Sequence, residues 1–502
     1  MFLKATGICL DETINEIRKF GEVSGCKINV DKSICVPLGK AKRDEELISY
    51  IKNTYGDGFV DNQFTALGVN FDNHNTIQAI SDINFAYKIS EAKSRANFWK
   101  SRDLTIYGRV TLIKSLLLAQ LVYISTSMLR PSTSIIKDFT TFIFGFLWGT
   151  KNDKMKRNIV IQKREEGGLD MIYPENFLSS MKLKLIQKIG DVNFVHKWKE
   201  VILNQVLYPE HPGICFENGL VHSTYSFTYD LIYCYIKWKE KAAKVRDKCI
   251  NHCVWGNQNI KDIGSKLWLP KLIDNNVNYL SDFVNEEGGV YSYREFCANN
   301  LDRCSHIISK REYLDIKMSI RRFNNTSISQ KNLQKLDKNI CLAFFTDFLE
   351  KNSKASKIRD FSHQKIDFID ILPLNNWARD LGLNSIEWNK VFRKMYGSFT
   401  KNFKLLQFQY KLLMRISTCR HTRFKMKIDI KSPNCIYCLS TVETLVHIFL
   451  ECPITITLAD YVKQCIIDNL VSDYSDPNKL FYITCSHDNQ SINYIRQLLR
   501  SI

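Results

Sequence analysis

No uncharged run in this chain is long enough to cross a bilayer. The longest, Ser115 to Leu129, holds fifteen residues with Gln, Ser and Thr among them, against the ~20 apolar residues a spanning helix needs. A buried helix is expected there, and no membrane is expected as a partner. An early apolar leader is also missing, because Lys4, Asp11 and Glu12 interrupt the first residues. An intracellular location, nucleus or cytoplasm, is therefore the default expectation. In such a compartment the sixteen cysteines read as thiols or metal ligands rather than disulfides. Collagen-like, repetitive and low-complexity segments are absent as well, which excludes fibrous and repeat architectures.

What is present is the composition of a folded protein: 45% hydrophobic, 24% charged and 12% aromatic, without the polar, aromatic-poor bias of disorder. At 502 residues the chain exceeds the ~250 to 300 residues at which a single core stops growing, so two or more domains are expected. Acidic residues are the minority. Seventy Lys and Arg against 52 Asp and Glu leave a formal charge of +18, a field that favours a polyanion such as nucleic acid.

The hydrophobic pattern predicts an α+β, predominantly α-helical fold. Ile14, Ile17 and Phe20 recur at helical spacing in a helix over Thr13 to Phe20, which Gly21 or Gly25 can end. Cys26, Ile28 and Val30 alternate with polar neighbours and predict a half-buried strand. "FTALGVNF", Phe64 to Phe71, predicts a hairpin bent at Gly68. Between Thr105 and Ile124 the apolar positions Ile106, Val110, Ile113, Leu117, Leu121 and Ile124 mark an amphipathic helix. Phe139, Phe142 and Phe146 mark another, ending near "LWGTKND", and Gly167-Gly168 with Pro174 mark a turn before a third. Residues from about 195 to 395 carry no defensible motif and read as helical connecting structure. Within them Cys249, His252 and Cys253 lack a second ligand pair at a usable spacing, so they read as ordinary side chains rather than a metal site.

The chemistry concentrates near the end of the chain. From Lys401 to Lys431 there are nine Lys or Arg with Asp429 the one acid opposing them, and Phe403, Phe408, Tyr410 and Phe424 interleave with the bases. The plain reading of such a charge run is a solvated helix face. Here the scarcity of acids, the aromatics and the cluster that follows favour nucleic-acid contact, with Lys404, Lys411, Arg415, Arg420 and Arg423 neutralising phosphates and the rings stacking on bases. In that cluster Cys435 and Cys438 stand two residues apart, His447 follows after eight and Cys452 after four more. Three thiolates and one imidazole suit Zn2+, and with all four corners supplied by protein the site should be structural. The alternative is chance spacing among sixteen cysteines with His447 a core residue. Around the Thr105 to Ile124 helix, Lys100, Arg102, Arg109 and Lys114 hint at a backbone-facing edge, although its apolar stripe is most simply core.

Taken in order, these stretches resemble the C-terminal part of the reverse transcriptase of LINE-type, non-LTR retrotransposons, with its reverse-transcriptase zinc-binding domain. "FGEVSGCKINVDKS" looks like the segment after the family's catalytic Tyr-x-Asp-Asp box, and "ALGVNF" looks like its primer-grip hairpin. "FWKSRDLTIYGRVTLIKSLLLAQLVY", "FIFGFLW" and "EEGGLDM" look like its thumb. "NFKLLQFQYKLLMRISTCRHTRFKMKI", leading into Cys435, Cys438, His447 and Cys452, looks like the zinc-binding domain. The resemblance implies a palm remnant with the primer-grip-like hairpin over 1–84, a thumb-like helical domain over 85–190, a helical connector over 191–395, a basic segment and zinc module over 396–462, and a helical tail over 463–502. It implies a motif-D role for Lys32, for which a turn residue at a strand end is the simpler reading, and a primer-grip role for Leu67, Gly68 and Val69, where Gly68 fits a plain bend equally well.

The family's Asp-Asp pair stands immediately before a "LFLK"-like segment, and here Phe2-Leu3-Lys4 directly follows Met1. The aspartates that would hold Mg2+ in the parent polymerase therefore have no counterpart in the sequence, and losing that carboxylate cage removes two-metal nucleotidyl transfer. The expectation is a fragment of an RNA-directed DNA polymerase that keeps its primer-template and element-RNA-binding thumb and zinc domains, and is inactive alone. The alternatives are an incomplete gene model of an active polymerase, or a host-recruited zinc-dependent scaffold that binds nucleic acid or protein.

Overall fold

The computed structural model describes residues 3–26, 28–29, 32–191, 193–223, 226–245, 252–257, 259–260, 267–285, 289–300, 308–324, 366–380, 386–399, 401–428, 431–457 and 461. The fold is α+β and predominantly α-helical, and among the described residues two strands form one small antiparallel sheet. The chain divides into two compact units, one of residues 1–92 with 120–138, the other of 93–119 with 139–502.

In the first unit, helix α1 (Gly7–Ser24) starts where Thr6 accepts the Cys9 N–H and stops where Gly25 turns left-handed at φ 74°. This is longer than the predicted Thr13 to Phe20. Leu10 and Ile14 pack with Phe59 and with Ile51 of helix α2 (Glu45–Tyr55). Phe20 lies outside that core and is 64% exposed. The strand expected over Cys26 to Val30 is not found among the described residues there; Ile28 packs loosely on the core. Lys27 and Val30 lie outside the described residues. The extended pairing falls later, as one parallel bridge between Cys35 and Val60. An open, mainly apolar cleft of about 960 Å³ runs between α1, α2 and residues 33–38.

The hairpin is where the alternation placed it. Strands β1 (Gln63–Ala66) and β2 (Val69–Asp72) pair antiparallel with Phe64 opposite Phe71, their rings stacked at 4.9 Å. Leu67 (φ 52°) and Gly68 (φ 76°) make the two-residue turn, both left-handed, the backbone form that matches the twist of a tight hairpin. Helix α3 (Ile77–Lys100) follows, and its Asn84 exchanges hydrogen bonds with the Asn70 backbone.

Helix α4 (Ile106–Leu112) opens on Thr105, whose hydroxyl accepts the Gly108 N–H, and continues through a wide turn at Ile113–Leu117 to helix α5 (Val122–Ser127). By length and composition alone Ile106–Ser127 could cross a membrane. Its buried side chains, Ile106, Val110, Ile113, Leu117, Leu121 and Ile124, are the predicted stripe, the pattern of a helix packed on protein. Helix α6 (Thr133–Trp148) buries Phe139, Ile143, Phe144 and Leu147 and ends at Gly149, φ 68°.

The second unit holds most of the buried mass. In it Trp255, Phe283, Phe296 and Tyr313 are buried in one core with Leu183 and Ile186 of the helix Pro174–Gly190. Among the described residues two ion pairs are buried in this unit. Lys182 lies 3.4 Å from Asp230 and over the Phe227 ring, and Glu217 receives both Lys239 and the Tyr235 hydroxyl. Cys253 is a buried free thiol that burial pushes up to about 11; Cys249 lies outside the described residues.

Candidate metal centre and basic surface

The helix Phe403–Leu413 is started by Asn402, whose side chain accepts the Lys404 N–H. Its buried face carries Leu406 and Tyr410. The Ile106 N–H donates to Gln407 Oε1, Lys404 meets Asp103 at 2.8 Å, and the Tyr107 ring stands edge-on to Tyr396 at 5.9 Å. Tyr410 reaches the Gly167 carbonyl. The basic segment is thus fastened to α4 and to the Gly167-Gly168 turn within one unit.

Past this helix the chain reverses at Arg415, left-handed at φ 51°. The Arg415 guanidinium pairs with Asp380 and lies 4.3 Å over the Trp377 ring, while its Nε is buried without a partner. The short helix Arg420–Lys425 comes next and ends beside Lys427 at φ 54°. Residues 431–452 then fold as a knuckle. The Cys435 N–H donates to the Thr441 carbonyl at 2.8 Å, the Leu439 N–H to the Cys435 carbonyl at 2.9 Å, and Leu439 is left-handed at φ 60°.

His447 and Cys452 are brought together by a feature the spacing did not reveal. In an α-helix, residues five apart point about 140° away from each other around the axis. Here His447–Glu451 is a π-turn, with the Cys452 N–H bonded to the His447 carbonyl at 2.8 Å. That wider i to i+5 turn brings the two ligands back to one side.

The four donor atoms of Cys435, Cys438, His447 and Cys452 all lie within 4.8 Å of one another. Cys435 and Cys452 sulfurs are 3.9 Å apart, and Cys438 Sγ is 3.4 Å from His447 Nε2. A tetrahedral zinc would set such sulfur–sulfur and sulfur–nitrogen separations at about 3.8 and about 3.6 Å. The donor set fits. Three donor residues are buried, and no fifth direction for substrate is built in. Hydrogen bonds from Ser440 and then Thr441 pull the Cys438 thiol down to about 5, whereas burial raises Cys435. The other imidazole nitrogen of His447 faces Glu451 at 4.0 Å, the place where an outer carboxylate commonly orients a metal-bound histidine. Among the described residues this is the group of His, Cys, Asp and Glu that converges on a cation.

One functional residue was not anticipated. Glu443 is buried, and its carboxylate accepts the Arg420 N–H at 2.7 Å and the Ile436 N–H at 3.3 Å. The Glu443 carbonyl also accepts the His421 N–H. The basic helix and the cysteine turn are therefore held against each other through a single residue, by its side chain and its carbonyl.

The remaining sequence-derived candidates scatter. Arg109 donates to the Phe146 carbonyl at 3.1 Å, capping the end of α6. Lys114 pairs with Asp170, and Arg102 lies 5.5 Å over the Phe98 ring. Lys411 is lowered by burial and then by Lys154 and Arg109, so these three bases from separate segments share one neighbourhood. Arg423 is exposed and Arg420 half-buried. Leu67 stands 89% exposed at the hairpin tip, with Gly68 beside it and Val69 buried. Lys32 is an exposed turn residue whose N–H bonds to Asn29.

No protein-family model matches the chain. Over 116 residues it is 29% identical to an Arabidopsis thaliana protein described as "Putative ribonuclease H protein"; the match covers 22% of this chain and 18% of that protein.

Proposed function

We propose that this chain is the C-terminal part of a LINE-type, non-LTR retrotransposon reverse transcriptase, and that it holds element RNA or primer-template through its thumb-like helices and a structural zinc module. The observation that carries the reading is the convergence of Cys435, Cys438, His447 and Cys452 at the end of a nine-base segment, whose helix is fastened to α4. Two further points support it. Lys411 is lowered first by burial and then by Lys154 and Arg109, so positive charge gathers where a phosphate backbone could relieve it. The Arabidopsis thaliana relative is named for a nucleic-acid enzyme, which fits a retroelement origin.

The zinc would be held by the three thiolates and His447 Nε2 and would supply folding stability rather than reactivity. Within the described residues the convergent donors are sulfur and imidazole, not the carboxylate cage that two-metal nucleotidyl transfer uses. The proposal is therefore a grip, with polymerisation by this chain alone expected to be absent. Binding of the full chain to an RNA–DNA hybrid, titrated across salt, tests it. Log affinity should fall linearly with log salt, losing orders of magnitude between 50 and 200 mM for roughly six or more phosphate contacts. Salt-independent affinity, or none, would sink the reading, and DNA synthesis in a primer-extension assay would overturn its inactive half.

A further inference from the structure

We propose that the outer face of the metal module is a stacking site for single-stranded nucleic acid centred on Tyr437. This rests on the nucleic-acid reading above and names its substrate class. Ile436 and Tyr437 sit between the first two cysteines and remain about half exposed, and Leu439, one residue past Cys438, is 73% exposed. Core packing does not ask for these side chains. The backbone does not ask for leucine at 439 either, since its φ of 60° is the region where glycine costs least. An apolar residue kept at a strained and exposed place points to a contact outside the chain.

The neighbouring helix Arg420–Lys425, tied at its first residue to the Ile436 backbone through Glu443, adds exposed rings and bases. Phe424 and Met426 are exposed beside the exposed bases Arg423, Lys425 and Lys427. Lys427, like Leu439, occupies a left-handed position. Glu443 fastens this helix to the Ile436 backbone, so rings and bases are presented on a fixed frame. Its own charge is buried and taken up by backbone N–H groups; among the described residues of the module the exposed acid is Glu451, beside His447. Charge of one sign mixed with exposed rings complements a strand whose phosphates and base faces are both accessible. In a duplex the base faces are stacked away, so the rings would gain little from it. An anionic membrane would also attract the bases, but interfacial binding relies on a continuous amphipathic helix, and here the apolar residues are divided between a six-residue helix and a tight loop.

The test uses the full chain with a fluorescent 20-nucleotide oligo(dT) and, separately, a blunt 20-base-pair duplex, with zinc content measured for each variant. Tyr437→Leu keeps apolar bulk without a ring and should weaken oligo(dT) binding about tenfold, leaving the salt slope and the duplex affinity unchanged. Tyr437→Phe should bind as the parent does. Lys425→Gln with Lys427→Gln should instead lower the salt slope by about two and weaken both probes. Equal oligo(dT) affinity for the parent and Tyr437→Leu at full zinc content overturns the stacking site while leaving the nucleic-acid reading standing. Failure of the parent to bind either probe sinks that reading instead, and tighter binding to phosphatidylserine vesicles than to oligo(dT) replaces both with a membrane surface.

Discussion

Tyr410 donates its hydroxyl to the Gly167 carbonyl at 3.1 Å, a buried hydrogen bond between residues 243 positions apart. The phenol is fully buried and its ionisation pushed well upward by that burial, so it stays a donor. Gly167 is left-handed at φ 82°, and a Cβ there would stand 3.1 Å from Met414 and 3.3 Å from Phe392. The glycine turn is thus shaped to receive the helix Phe403–Leu413. Two segments far apart in the chain share one packed contact.

Tyr410→Phe should remove that bond without changing the ring packing. The Gly167 carbonyl would then be buried unpaired, costing about 1 to 3 kcal/mol. Chemical denaturation read at the second unit should show the loss, and an unchanged midpoint would mean the carbonyl finds another donor.

The glycines offer a sharper comparison. A Cβ on Gly168 would meet the Gln162 carbonyl oxygen at 2.1 Å and the Ile159 carbonyl oxygen at 2.7 Å, both backbone, whereas a Cβ on Gly68 meets nothing within 4 Å. Gly168→Ala should therefore cost upwards of about 3 kcal/mol or prevent folding, since backbone cannot step aside. Gly68→Ala carries the left-handed penalty alone, about 1 to 2 kcal/mol. Paired denaturation curves that reversed this order would contradict the turn geometry.

The same contrast explains what could be read from the sequence. The hairpin was legible because Phe64 and Phe71 bracket a turn whose Gly68 accepts a left-handed backbone, and both signals are local. The cysteine and histidine spacing was legible for the same reason. Cys26, Ile28 and Asn29 form no strand, because so short an alternation does not fix one without a partner, and Phe20 is exposed: helical spacing does not say how wide the buried face is. The π-turn at His447 left no compositional mark. Glu443 reads as any surface acid until its two backbone donors are seen, and the Tyr410 to Gly167 contact is a matter of tertiary packing between distant segments.

His252 makes stability sensitive to acid. Its ring stands edge-on to Phe323 with Nε2 buried and unpartnered, and burial, then the nearby Lys239, lowers it from 6.5 to about 4. The folded protein refuses a proton that the unfolded chain accepts, so nothing is lost above pH 6.5. Stability should decline as the pH falls from 6.5 towards 4, by at most about 3 kcal/mol at 1.36 kcal/mol per unit. Denaturation midpoints measured across that window should slope in the parent and flatten in His252→Phe.

One zinc per chain is expected in metal analysis of the native protein. Chelation should melt the module that carries Arg420–Lys425, because its ligands are brought together by loops and one π-turn rather than by a core of their own. Protease cleavage after metal removal should concentrate between residues 415 and 457. His447→Ala should reproduce the effect, and full-length protein with no zinc and unchanged protease resistance would remove the metal from the fold.

Glu443→Gln tests how the metal turn and the basic helix are coupled. The glutamate accepts from Arg420 and Ile436 with its two oxygens; the amide keeps one acceptor and turns a donor towards the other N–H. One backbone group is left unpaired in a buried place, at a cost of about 1 to 3 kcal/mol. Because Ile436 follows Cys435 directly, the strain falls on the first thiolate as well, and zinc affinity should drop about 10- to 100-fold, the usual scale for losing an outer partner of a metal site. Competition with a colorimetric chelator measures it. Glu443→Asp, which keeps both oxygens on a shorter stem, should fall between the parent and Glu443→Gln. If Glu443→Gln held zinc as tightly as the parent, the metal turn would have to be fixed by its main-chain bonds, Cys435 to Thr441 and Glu443 to Pro433, with the basic helix tied to it by the His421 N–H on the Glu443 carbonyl.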